Sequence, residues 1–144
     1  MPDLSYPRDV PSLKPDGSIF VPLGHSVARS KEFDLDNGAG TTLDDCILRH
    51  SRPIKIVAAR IVYTDATTGT VAAGNAKIGT TVAGAEIVAA TAYGNAAAVG
   101  SKTALTLVLA DIPADTPIIV RHTGVAATAA GKAYVEIEYT VDTD

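Results

Sequence analysis

From Ser30 onward, apolar side chains recur at alternate positions in short runs, and Gly, Asn and Asp break the runs. Period two marks a strand with one buried face, because successive side chains leave opposite sides of the pleat. The clearest case is AYVEIEYTV, where Val135, Ile137 and Tyr139 oppose Tyr134, Glu136 and Glu138. TALTLVLA sets Leu105, Leu107 and Leu109 on one face, and SKEFDL sets Phe33 and Leu35 against charged neighbours. TTLDDCIL, NAKIGTTV, EIVAATAY and TPIIVRH read as further short strands, with DNGAG and DATTG as turns. The longest candidate is IKIVAARIVYT, with Ile54, Ile56 and Ala58 on one face. Arg60, Val62 and Thr64 continue that register, so the buried face is expected to switch near Ala58–Arg60, as a bulge would cause. Eight or nine short strands of this kind predict an all-β fold, an antiparallel β-sandwich of jelly-roll type. AEIVAATAYGNAAAVG competes as helix on alanine propensity, but its glycines and its Val, Thr and Tyr favour strand.

The stretch before Ser30 has no such rhythm. Five of the eight prolines fall within the first twenty-two residues, which excludes a helix interior or a central strand. The chain therefore divides into an extended, proline-rich N-terminal arm, residues 1–29, and a sandwich domain, residues 30–144. Leu4, Tyr6, Val10, Leu13, Ile19, Phe20 and Val21 stud the arm, and flexible linkers rarely carry such side chains. These seven are the candidate partner-binding residues. The arm is expected to be disordered when free and ordered on a partner, with SIFVPL able to add a strand to a neighbouring sheet edge.

Composition adds to this picture. Hydrophobic residues make up 47 % of the 144, but much of that is alanine, and tryptophan is absent. Alanine buries little area, so a thin core that draws stability from partner subunits is expected. Between Ala66 and Ala110 only Lys77, Glu86 and Lys102 are charged, which suggests a surface covered by another subunit. The formal charge of −4 comes with no basic cluster, so neither nucleic acid nor a polybasic membrane contact is expected. No apolar run approaches the ~20 residues of a spanning helix, and the start of the chain lacks the features of a secretion signal. The lone Cys46 has no internal disulfide partner and is expected to pack as a small hydrophobe in a protein made in a reducing cytoplasm.

Motifs for chemistry are weak. GNAAAVGSKT departs from a phosphate loop: five residues separate its glycines, Ser101 precedes Lys102, and a strand follows where a helix is needed. DLDNGAG fails the EF-hand order, which leaves Asp34, Asp36, Asn37 and Asp44 as a conceivable oxygen site against a default of a solvated turn. His25, His50 and His122 stand in separate segments without metal-pair spacing, and no nucleophile elbow occurs. Glu136 and Glu138 share one strand face, better explained as a charged outer surface than as a glycosidase pair. No enzyme activity, metal or cofactor is expected.

The layout has a counterpart in a known family. An extended arm precedes an Ala/Thr/Gly-rich β domain that ends in DIPADTPIIVRHTGVAATAAGKAYVEIEYTVDTD. This resembles the jelly-roll decoration (cement) proteins of tailed-bacteriophage capsids, across nearly the whole chain. The resemblance implies a structural virion protein, a homotrimer on the outer capsid surface whose arms clamp major capsid protein subunits and stabilise the shell. The alternative is a receptor- or glycan-binding module of a virion fibre or tail tip, although sugar sites usually stack on Trp or Tyr. A cupin-type enzyme would need a histidine cluster that the scattered histidines do not supply.

Overall fold

The computed structural model describes residues 25–142, together with the short strands β1 (Ser12–Leu13) and β2 (Ile19–Phe20) of the N-terminal segment. Leu4, Tyr6, Val10 and Val21 lie outside the described residues. The pairing of β1 with β2 is antiparallel, Ser12 opposite Phe20 and Leu13 opposite Ile19, so Ile19–Phe20 pair within the N-terminal segment itself.

The remaining strands are β3 (Ser26–Arg29), β4 (Phe33–Asp34), β5 (Thr42–Arg49), β6 (Ile54–Thr68), β7 (Asn75–Gly79) and β8 (Val88–Ala92). β9 (Lys102–Leu105), β10 (Asp111–Ile112), β11 (Pro117–Thr123) and β12 (Ala130–Val141) follow, and no helix occurs among the described residues. They form two antiparallel sheets packed face to face. The first has the order β10-β6-β12-β3, with β9 also on β6 and β4 also on β12; the second runs β5-β11-β7-β8. The chain crosses from one sheet to the other between β4 and β5, β5 and β6, β6 and β7, β8 and β9, β10 and β11, and β11 and β12. Ser26–Arg29, grouped with the arm on sequence, pair with Tyr139–Glu136 of β12 and so belong to the first sheet.

β6 and β12 are the spine of that sheet. Tyr139 faces Ile56 while Glu138 faces Ala58, which leaves Val57 as an extra residue on β6. Ile54 and Ile56 are buried before this bulge, and Ala59, Ile61 and Tyr63 after it. The face switch read from the sequence is real and lies one residue earlier than expected. It coincides with a change of partner on the other edge, where β6 leaves β10 after Lys55 and meets β9 from Ala59.

Several strand limits differ from the sequence pattern. DATTG is not a turn down to its Asp: β6 continues through Thr68, and the chain turns at Gly69, whose φ is +69°. TALTLVLA stops pairing with β6 at Leu105; Leu107 is half-buried and Leu109 exposed. There the Val108 N–H bonds to the Ile87 carbonyl at 2.8 Å, which draws the loop off the alternating path. SKEFDL keeps only Phe33–Asp34 as strand, yet Phe33 and Leu35 are buried as expected.

The core is not an alanine core. Ile54, Ile56, Ile61, Ile78, Ile118 and Ile137 fill the space between the sheets, and only Ala59, Ala76, Ala129 and Ala133 of the described alanines are buried. Most of the others lie on exposed loops and on β8. Isoleucine supplies the branched bulk that suits a pleated surface, so the core rests on large side chains where composition had suggested alanine.

Candidate functional site

Three polar arrangements stand out, and the first lies between the sheets. In PIIVRHT, period two carries His122 onto the face of Ile118 and Val120, and all three are fully buried. Phe33 of β4 stacks on the imidazole, with ring centroids 4.8 Å apart and planes 13° apart. Tyr93, just after β8, places its hydroxyl 2.6 Å from Nδ1, and Ser30, between β3 and β4, places Oγ 3.2 Å from Nε2. The sequence reading set His122 aside as one of three scattered histidines without metal-pair spacing. The signal that could have found it was its place in the i, i+2, i+4 series of buried β11 residues.

The second is a ladder on the outer face of the first sheet. Arg29, Glu136 and Arg60 are cross-strand neighbours on β3, β12 and β6. Arg29 Nε donates to Glu136 Oε2 at 2.9 Å, Arg60 Nη1 donates to Oε1 at 3.1 Å, and Arg60 Nη2 reaches Glu138 at 2.9 Å. Arg29 also lies over the Tyr134 ring, 5.4 Å from its centroid. Glu136 is therefore not a solvated outer-face acid: the flanking side chains leave it 5 % exposed. Both carboxylates are committed to guanidinium groups, which is the geometry of a structural ion-pair network.

The third arrangement separates the candidate oxygen ligands. Asp44 makes a bidentate pair with Arg121 at 2.7 and 2.6 Å, and that contact holds its carboxyl below the usual carboxylate range. Asp34 lies 3.8 Å from Lys132 Nζ. Among the described residues no three His, Cys, Asp or Glu side chains are gathered in a way that could hold a metal ion. Glu86 closes the β7–β8 turn by accepting from the Thr80 N–H, and a Cβ on Gly79 or Gly84 would collide with its carboxylate. Cys46 points outward from β5 and is exposed, contrary to the packed position expected; Leu43, Asp45, Ile47 and Leu48 take the half-buried places.

Two surface features complete the description. A cleft of about 740 Å³ opens at the end of the sandwich where β3 begins, between His25, Pro53, Lys55, Ile112 and Val141; among the described residues no Tyr or Phe lines it. On the side formed by β8, β9 and their loops, Val82, Val99, Val108 and Leu109 are exposed. The opposite side, at β3 and β5, carries Arg29, Lys31, Asp44, Asp45 and Arg49. Of the seven arm residues singled out in the sequence, Leu13, Ile19 and Phe20 fall in β1 and β2.

No family model matches the chain, and no curated protein does. A chain in the solved structure "Cyanophage Pam1 capsid asymmetric unit" is similar to it, with a TM-score of 0.56 over 82 % of this chain and 85 % of that one. The two sequences are 13 % identical, so the likeness is one of fold.

Proposed function

We propose that this chain is a structural virion protein, a decoration or cement protein that binds the outer surface of an icosahedral phage head and acts by contact, without catalysis. The observation that carries the reading is the fold likeness to a chain of a phage capsid assembly across four-fifths of the sequence. The strand order supports the jelly-roll part of the reading, since β3-β12-β6 with β9 and β10 faces β5-β11-β7-β8 and the chain alternates between them. The side of the sandwich with few charges and exposed valines suits contact between copies, and a homotrimer is the assembly that the family resemblance implies.

In this reading the arm reaches from the domain to major capsid protein subunits, with Leu4, Tyr6, Val10, Leu13, Ile19, Phe20 and Val21 as its contacts. Twenty extended residues span roughly 65 Å, enough to cross onto a neighbouring subunit. Three arms per assembly make individually weak contacts sufficient. Prolines limit the freedom that the arm loses on docking. Co-sedimentation with undecorated shells tests the proposal. The full chain should pellet with shells in a saturable ratio, and a chain lacking residues 1–21 should keep its oligomeric state but lose shell binding. Undiminished binding by the truncated chain would remove the clamp, and absence of binding by the full chain would remove the decoration function.

A further inference from the structure

We propose that His122 is a proton-operated latch between the two sheets, closed while the imidazole is neutral and forced open when it is protonated. The hydrogen-bond inventory fixes the closed state. Ser30 Oγ lies 3.0 Å from the Lys31 carbonyl, an acceptor, so the hydroxyl proton goes there. The same Oγ accepts from the Val135 N–H at 2.9 Å, which leaves it one lone pair. Only a proton on Nε2 can use that lone pair, so Nε2–H donates to Ser30 and Nδ1 accepts from the Tyr93 hydroxyl. Every polar atom of the trio is then satisfied. The latch joins β11 and the end of β8 in the second sheet to Ser30, whose own N–H bonds to the Val135 carbonyl of the first.

Protonation has no such solution. A second N–H, at Nδ1, would face the Tyr93 hydroxyl, which would have to accept and turn its own proton toward a buried surface. The groups around the ring offer little compensation. Phe33 on β4 and Ser30 carry no charge, and Tyr63 of β6 only opposes ionisation of Tyr93. Asp45 of β5 favours the cation, but its carboxylate already accepts from the Lys31 N–H at 2.7 Å. The Arg121 side chain is paired with Asp44 at the adjacent, outward position of β11. Burial outweighs the pull of Asp45 and holds the imidazole down at about 4 against an ordinary 6.5. The unfolded chain thus binds the proton more readily through that window. Stability from the latch is complete above about pH 6.5 and drains away as pH falls toward 4.

Urea unfolding of the full chain at pH 7 and pH 4.5, for wild type, His122→Phe and Asp44→Asn, measures the effect. Acid should raise the wild-type unfolding constant by roughly fifty-fold from this one group, since each pH unit below 6.5 is worth up to tenfold. Asp44→Asn should retain that component, and His122→Phe should lose it. An equal acid response in wild type and His122→Phe would overturn the latch. Should the phenylalanine variant fail to fold, imidazole nitrogen shifts of the wild type decide the matter. A neutral Nε2–H ring that persists at pH 5 supports the latch, while an Nδ1–H tautomer or titration near 6.5 overturns it.

Discussion

Glu136 shows how one residue changes meaning between sequence and structure. On sequence it is one of two acids on a strand's outer face, and in the fold it lies beneath two arginines. Its carboxylate accepts from Arg29 on one side and Arg60 on the other, so losing its charge weakens two charge-assisted hydrogen bonds to a carboxylate that is itself shielded from water. Glu136→Gln should cost about 2 kcal/mol in urea unfolding at pH 7. Glu138→Gln, where the carboxylate pairs among the described residues with Arg60 and lies nearer to solvent, should cost about 0.5 kcal/mol or less. Equal losses from the two substitutions would show that burial is not what gives Glu136 its weight.

At the scale of elements, β6 is the informative strand. Its two halves bury opposite parities of the sequence, and Val57 absorbs the difference. Deleting Val57 leaves Ile54, Ile56, Ala59 and Ile61 in unbroken alternation, so the sheet can close without the bulge. That deletion should therefore fold, with a loss of about 2 kcal/mol or less. Deleting Tyr134 from the regular part of β12 brings Ala133 and Val135 together and turns half the strand inside out. Circular dichroism and thermal melting should show a cooperative transition for the first variant and none for the second. The same logic explains why TALTLVLA misled. Alternation continues through Leu109 in the sequence, but the β9–β10 loop is pinned to Ile87 and does not follow it.

At the scale of the molecule the two sides of the sandwich differ. β3 and β5 present charges, which discourage edge-to-edge pairing, whereas β8 presents alanines and its neighbouring loops present valines. Under the proposed function this second side packs against other copies of the chain. Val99→Asp with Val108→Asp should lower the mass in light scattering from trimer toward monomer and leave the melting temperature of the isolated fold nearly unchanged. Valines at 71 % and 64 % exposure make no core contact that aspartate would disrupt. A trimer that survives both substitutions would move the interface elsewhere.

Strand identity was legible because it depends on local alternation, which the chain carries in nearly every segment from β5 to β12. The bulge in β6 was legible for the same reason, as a break of parity within one strand. The sequence also sufficed to set aside the phosphate-loop and EF-hand motifs, since their spacing is itself the requirement. What lay beyond it was long-range. Ser30 and His122 are ninety-two positions apart, Arg29 and Glu136 one hundred and seven, and only the pairing of β3 with β12 against β11 brings such groups within bonding distance. Alanine was misjudged as core because composition counts residues without saying which face each occupies; the register of the two sheets decides that. Cys46 followed the same rule, facing outward while Leu43, Asp45 and Ile47, at the other parity of β5, are half-buried. Alternation along the chain is a local property and specified the strands, whereas the partner of each buried polar group depends on which strands meet, and that only the tertiary fold decided.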